Sequence, residues 1–168
     1  NVDLNVTTAQ NLGAAGMDQL FFIEDIIGTA FNATVLGNAD ANTFEGGLGA
    51  DQLNGQAGSD TASYVSSDAG IVINLNAGAA LGGHAAGDTL ISIENIVGTA
   101  FDDRIFGTSA LANVLQGGDG NDEIAGQSGN DTLDGGTGED SLAGGDDQDL
   151  LNGGSGDDRL FGNNGNDT

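Results

Sequence analysis

From Gly117 to Thr168 one nine-residue phrase recurs: GGDGNDEIA, GQSGNDTLD, GGTGEDSLA, GGDDQDLLN, GGSGDDRLF and a clipped GNNGNDT. Each copy has Gly at position 1, nearly always Gly at position 4, Asp at position 6 and, in the full copies, an aliphatic residue at position 8. The Asp series is Asp122, Asp131, Asp140, Asp149, Asp158 and Asp167; the aliphatic series is Ile124, Leu133, Leu142, Leu151 and Leu160. A period this regular is the mark of a solenoid, in which each repeat packs only on its neighbours.

Glycine at positions 1 and 4 opens left-handed backbone to the chain, so the first six residues of each copy are expected to curl into a turn. Three extended residues follow, and only position 8 carries a steady apolar side chain, as in a short strand whose middle residue points inward. Two turns and two strands close one coil every eighteen residues. Asp122, Asp140 and Asp158 then stack along one edge, and Asp131, Asp149 and Asp167 along the other.

Stacked strands lie ~4.8 Å apart, and carboxylates at about that distance repel by roughly 3 kcal/mol at an effective dielectric near 20. The chain has 26 Asp plus Glu against two basic residues, a net charge of −24. The core cannot offset this: one buried Leu per copy contributes ~1.5 to 3 kcal/mol, while ordering each backbone unit costs ~1 to 2 kcal/mol. A hard dication ligated by oxygen is the economical solution. Calcium accepts six to eight carboxylate and carbonyl oxygens in tolerant geometry, whereas magnesium demands a stricter octahedron. Zinc favours His and Cys, of which the chain has one and none.

The phrase resembles the GGxGxDxUx nonapeptide of the RTX (repeats in toxin) proteins, a calcium-binding β-helix repeat. The resemblance implies an all-β chain forming a right-handed parallel β-roll, or β-helix solenoid. It also implies several Ca2+ ions, each between neighbouring turns on one edge, held by position 6 side chains and turn carbonyls. Carried over residue by residue, the side-chain ligands are Asp122, Asp131, Asp140, Asp149, Asp158 and Asp167, with Asp51, Asp60, Asp103 and Asn113 in the less regular copies. The carbonyls belong to turns opened by Gly117, Gly126, Gly135, Gly144 and Gly153. Asp147 departs from Gly at position 4, and Gln127 and Asn163 depart from it at position 2; Asp and Asn tolerate left-handed geometry better than most residues.

With 31 Gly, no Pro and 5% aromatics in 168 residues, the chain is poor material for a globular core and suits an elongated solenoid. Without calcium its acidity favours disorder. Nucleic acid and anionic membrane surfaces would be repelled, and no apolar run of membrane-spanning length is present. No Cys means no disulfide framework, which leaves stapling to metal. Proteins resembling the RTX family are typically exported unfolded by type I secretion, which places the expectation at a bacterial cell surface or outside the cell.

The chain divides into four stretches. Residues 1–27 hold two strand-like runs, around Val2, Leu4 and Val6 and from Leu20 to Ile27. Residues 28–63 form a first nonamer block whose position 6 reads Ala33, Asn42, Asp51, Asp60, so that calcium affinity should rise along it. Residues 64–97 interrupt the nonamers and predict two longer strands around a Gly/Ala turn. Residues 98–168 form the second block, with one ten-residue unit, 107–116, whose extra residue predicts a bulge in the turn. IEDIIGTAF (23–31) recurs as IENIVGTAF (93–101), and VDLN (2–5) matches INLN (73–76), so the chain reads as two tandem modules. It opens inside one module and stops inside a nonamer, so a longer array or end-to-end stacking is the expectation, because solenoid ends need capping.

Carboxylates that recur every nine residues point to structural ligation; a catalytic pair would be unique in its pocket. His84, in GGHAAG, reads as a turn residue. Asp18, Asp88, Glu24 and Glu94 hold matched places in the two modules and are either further ligands or exposed charges at strand ends. Position 7 carries no file of Thr, which an ice-binding face would need, and Arg104 and Arg159 there are expected to point outward toward neighbouring Asp. The leading reading is a non-enzymatic calcium-binding segment of an adhesin, surface layer or extracellular filament. Its partners would be calcium, further copies end to end or side by side, and cell-surface polysaccharide bridged by calcium. The second reading is an accessory segment of a secreted protease, lipase or alginate-epimerase-like enzyme.

Overall fold

In the computed structural model the described residues are 2–5, 10–11, 17–18 and 23–168. The strands up to the end of the first nonamer block are β1 (Val2–Asp3), β2 (Gln10–Asn11), β3 (Met17–Asp18), β4 (Asp25–Thr29), β5 (Thr34–Leu36), β6 (Thr43–Gly47), β7 (Gln52–Asn54) and β8 (Thr61–Ser63). The interruption adds β9 (Val72–Asn74), β10 (Ala79–Leu81), β11 (Thr89–Ile91) and β12 (Asn95–Val97), and the second block β13 (Arg104–Phe106), β14 (Val114–Asp119), β15 (Glu123–Ser128), β16 (Thr132–Thr137), β17 (Ser141–Asp146), β18 (Leu150–Ser155) and β19 (Arg159–Asn164).

From β4 to β8 and from β12 to β19 successive strands alternate between two sheets, as the eighteen-residue coil requires, while β9, β10 and β11 share one sheet and β2 and β3 pair apart from both. One sheet runs β1-β5-β7-β11-β10-β9-β13-β15-β17-β19 and the other β18-β16-β14-β12-β8-β6-β4. The result is a parallel β-solenoid of about 8 turns with almost no helix. Register follows the nonamers: Leu115 pairs Leu133 and Leu133 pairs Leu151 in one sheet, Ile124 pairs Leu142 and Leu142 pairs Leu160 in the other. The ten-residue unit is absorbed without a slip, since Ile105 pairs Ile124 and Ile96 pairs Leu115 across coils one residue longer.

The core is a double file of position 8 side chains, with Val35, Phe44, Leu53, Ala62, Ile105, Leu115, Ile124, Leu133 and Leu142 all buried. At the last coil Leu160 is 47% exposed, having no coil above it. From β14 to β19 each strand is six residues long, because positions 1 to 3 of the next copy continue the pairing, as Gly118 does with Gly136 and Asp119 with Thr137. The turn proper is therefore shorter than the six residues expected.

The interruption keeps the solenoid continuous. β9 and β10 form an antiparallel hairpin around 75–78, and β11 and β12 each join one of the two sheets, beside β7 and β8. These four strands have three residues each, shorter than expected. His84 lies in a single 3-10 turn, Gly83–Ala85, between β10 and β11. The opening segment repeats the later pairing: Val2 sits against Val35 as Ile73 does against Ile105. Of the expected early strands, Val6 and 20–22 lie outside the described residues. No helix among the described residues is long and apolar enough to cross a membrane.

Candidate metal centre

Position 6 ends each turn, just before its strand begins. In the open array its backbone N–H donates to the position 6 carboxylate one coil on: Asp122 to Asp140 Oδ1 at 2.8 Å, Asp140 to Asp158 Oδ1 at 3.0 Å, Asp131 to Asp149 Oδ1 at 2.9 Å and Asp149 to Asp167 Oδ1 at 3.1 Å. The first block does the same, with Ala33 donating to Asp51 Oδ1 at 2.7 Å and Asn42 to Asp60 Oδ1 at 2.8 Å. The carboxylates therefore form two files, one per edge, each held in register by the backbone.

One oxygen of each carboxylate is used in this way. The other, Oδ2, is buried without a hydrogen-bond partner in Asp51, Asp60, Asp122, Asp131, Asp140 and Asp149, residues no more than 4% exposed. A buried carboxylate oxygen left unpaired costs several kcal/mol, so these atoms require either a proton or a cation. Burial first, and then like charges nearby, hold Asp122 up at about 7 and Asp131 at about 6 when no ion is bound, and raise Asp60, Asp140 and Asp149 as well; Asp51 is raised by burial. The chain's own cations do not supply the charge. Arg104 turns outward to Glu123 at 3.0 Å, a Glu rather than the expected Asp, and Arg159 is exposed.

The oxygens fit calcium. A Cβ placed on Gly117 would stand 2.0 Å from Asp122 Oδ2 and 2.7 Å from the Gly135 carbonyl; on Gly135, 2.4 Å from Asp140 Oδ2 and 2.7 Å from the Gly153 carbonyl. At Gly126, Gly144 and Gly153 the Oδ2 of Asp131, Asp149 and Asp158 lies 2.1, 2.2 and 2.4 Å from the same point. Carboxylate and carbonyl oxygens thus converge above Gly117 and Gly135, an all-oxygen set suited to a hard dication. Among the described residues no three His, Cys, Asp or Glu side chains converge on one point. Each open turn brings one buried carboxylate, so backbone carbonyls would have to complete any ion's shell.

This corrects the role expected for the first glycine. Left-handed backbone falls at positions 2 and 4, as at Gly118 (φ 115) and Gly120 (φ 112), while the position 1 glycines avoid it. Position 1 is glycine because the carboxylate five residues on folds back over it. In the regular array the departures Gln127 (φ 87), Asp147 (φ 80) and Asn163 (φ 71) accept the left-handed conformation.

A second kind of turn carries no orphaned carboxylate oxygen. Where position 2 is Thr99, Thr108 or Asn38, its φ is not left-handed, and its N–H turns inward to the position 6 side chain. Thr99 donates to Asp103 Oδ2 at 2.7 Å, Thr108 to Asn113 Oδ1 at 2.7 Å and Asn38 to Asn42 Oδ1 at 2.9 Å. Asp103 Oδ1 takes the Ile71 N–H and the Thr99 hydroxyl besides. Each of these oxygens already accepts a hydrogen bond from its own turn, although a Cβ on Gly98 would still stand 2.5 Å from Asp103 Oδ2 and 2.2 Å from the Gly117 carbonyl. Asp103 and Asn113, expected as ligands, sit in turns whose own N–H groups already donate to their side chains. Asp158 and Asp167, in the last coil, are half-buried and retain the Oδ1 bond to the coil below.

The matched acidic residues left open by the sequence continue the two files across the interruption. Asp51 donates its N–H to Asp88 Oδ1 at 2.7 Å, and Asp60 donates its N–H to Glu94 Oε2 at 3.0 Å. Tyr64, a core aromatic, donates its hydroxyl to Asp88 Oδ2 at 3.1 Å. Burial and the Asp88 charge hold that hydroxyl well above its usual range, so it remains a donor. The signal for Asp88 and Glu94 was their recurrence in the module copies, but their partners depend on how the hairpin folds back. Of their counterparts, Glu24 is exposed and accepts the Thr43 N–H through its backbone carbonyl, and the Asp18 side chain lies outside what is described.

A comparison with curated proteins found no match to the chain. A comparison with protein families matches the RTX calcium-binding nonapeptide repeat in 4 copies, over residues 27–62, 91–110, 108–142 and 134–168. These matches span both nonamer blocks and the two files of orphaned oxygens. The chain belongs to the RTX calcium-binding nonapeptide repeat family, and its solenoid is a β-roll of that family.

Proposed function

We propose that this chain is a non-catalytic structural segment of a secreted or cell-surface bacterial protein that folds and stiffens on meeting extracellular calcium. Asp51, Asp60, Asp122, Asp131, Asp140 and Asp149 hold the ions through Oδ2, Asp158 and Asp167 supply the same atom at the last coil, and the carbonyls of turns such as those opened by Gly135 and Gly153 complete the shell. The observation that carries this reading is the row of buried, unpartnered Oδ2 atoms along both edges. Ligands for one ion come from residues a full coil apart, so metal affinity becomes folding free energy. Extracellular modules bind calcium with Kd of about 0.1 to 1 mM, which leaves such a chain unfolded in low-calcium cytosol and folded outside. Recurrence along both edges favours a stiff rod over a single binding site, in keeping with an adhesin, surface layer or filament.

The test is circular dichroism of the full chain. A chelator at neutral pH should give a coil spectrum, and millimolar calcium should restore strand signal cooperatively. A strand spectrum unchanged by chelation would refute metal-coupled folding.

A further inference from the structure

We infer that the interruption between the two nonamer blocks builds a calcium site of its own, from Asp60, the Ser92 carbonyl and the Glu94 carboxylate. This rests on the calcium reading above and extends it to residues that belong to no nonamer. Ile91 pairs with Asn54, and Asn95 pairs with Thr61. The turn 55–60 is therefore faced across the coil step by residues 92–94 alone. Ser92 makes that sharp corner in the left-handed region, at φ 49.

The corner aims the Ser92 carbonyl where a nonamer aims the carbonyl of its first glycine. A Cβ on Gly55 would stand 2.3 Å from Asp60 Oδ2 and 2.3 Å from the Ser92 carbonyl oxygen. Around Gly135 the corresponding oxygens, Asp140 Oδ2 and the Gly153 carbonyl, lie at 2.4 and 2.7 Å. Glu94 supplies the remaining part. Its Oε2 accepts the Asp60 N–H at 3.0 Å, the place that Asp140 Oδ1 fills for Asp122 at 2.8 Å. With fewer residues in the turn, the extra methylene of Glu makes up the reach that Asp has in a full nonamer. Asp60 itself is fully buried, and its Oδ2 has no partner. Two carboxylates on one step, with a carbonyl beside them and no basic residue in contact, make a site for a hard dication.

The other edge of the same junction behaves differently. There Asp88 takes the Asp51 N–H with Oδ1, and Tyr64 plugs Oδ2 with its hydroxyl. The Asp60–Glu94 edge has no such plug. An ion there ties the last nonamer of the first block to the leading segment of the second module.

The experiment counts bound Ca2+ on the full chain by calorimetric titration and equilibrium dialysis. Gln at 94 still accepts the Asp60 N–H, so Glu94→Gln removes charge while preserving the hydrogen bond. Glu94→Gln and Asp60→Asn should each bind one ion fewer than wild type, and the double variant should also lose one, not two. Terbium-soaked crystals should show an anomalous peak between Asp60 and Glu94, a readout that does not depend on how the variants fold. A full count in Glu94→Gln, a loss of two ions in the double variant, or terbium peaks at the nonamer turns with none at this step would overturn the inference and leave the calcium reading standing. A wild-type chain that takes up no calcium would overturn both.

Discussion

Gly135→Ala isolates the claim that the first glycine of each nonamer exists to make room for an oxygen. Its backbone is not left-handed, so Ala adds no conformational strain. The added Cβ would, however, meet Asp140 Oδ2 at 2.4 Å and the Gly153 carbonyl at 2.7 Å. Non-bonded contact needs about 3.5 Å, so the carboxylate oxygen would have to retreat by roughly 1 Å. It has little freedom to do so, because its partner Oδ1 is tied to the Asp122 N–H at 2.8 Å. The calcium–oxygen range of about 2.3 to 2.6 Å is only some 0.3 Å wide, so a displaced Oδ2 leaves the shell. We expect one site to weaken by about tenfold to a hundredfold, roughly 1.4 to 2.8 kcal/mol, with overpacking adding about 1 to 3 kcal/mol whether or not the ion is bound. Calorimetric titration with calcium, alongside thermal unfolding at saturating calcium, reads both. Thr137→Ala, which removes an exposed hydroxyl bonded to Asp119 at 2.7 Å, is the neighbouring control. A Gly135→Ala chain that binds every ion with wild-type affinity would show that close approach is not why this position is glycine.

The remaining predictions concern protons and the two kinds of turn. In the metal-free fold Asp122 sits at about 7, and Asp131 and Asp88 at about 6, all raised from 3.8. Raised folded values stabilise the metal-free fold below the unfolded pKa, and that stability is lost as pH climbs through about 6 to 7. In chelator, strand signal should therefore be stronger near pH 4 than near pH 8, while calcium affinity should rise over the same span as ions displace protons; metal-free strand content that grows with pH would contradict this. Asp140→Asn should lower the number or affinity of bound ions, whereas Asp103→Asn, in a turn where the Thr99 N–H donates to the side chain, should leave the ion count unchanged; equal ion losses in dialysis would erase the distinction between turns.

The coil length, both carboxylate files and the inward position 8 could be read from the period alone, because each is set by contacts between copies of one phrase. What escaped the sequence depended on contacts between unlike segments. Gly135 looks like any turn glycine until Asp140 is seen folded over it. Asp103 looks like Asp122 until the φ of the preceding Thr99 is known, since that angle decides whether an N–H faces the carboxylate. Thr is β-branched and resists left-handed backbone, so GT against GG at the head of a copy was the available signal. Glu94 and Asp88 find their places only because the β9–β10 hairpin reverses the chain within the ten-stranded sheet and the chain then returns in register beside β7 and β8. No local pattern encodes that return. The six-residue strands were missed for a simpler reason: Gly-Gly reads as a turn, yet Gly118 and Gly136 pair across coils.

The two kinds of turn are not scattered along the chain. Each block begins with turns that carry no orphaned carboxylate oxygen, 28–45 in the first and 98–116 in the second, and continues with turns that leave Oδ2 bare, 46–63 and 117–152. The turns without an orphaned carboxylate oxygen lie beside the strands that open each module, β1 against β5 and β9 against β13. They place no unpaired carboxylate oxygen in the interior, so ordering them incurs no comparable charge penalty. Each open turn adds a buried charge that only an ion or a proton relieves, and in a solenoid that cost is met one nearest-neighbour step at a time. The order of turns thus supplies a base on which the calcium-dependent coils can be laid down, and Asp60 with Glu94 stands where one module's open coils meet the base of the next.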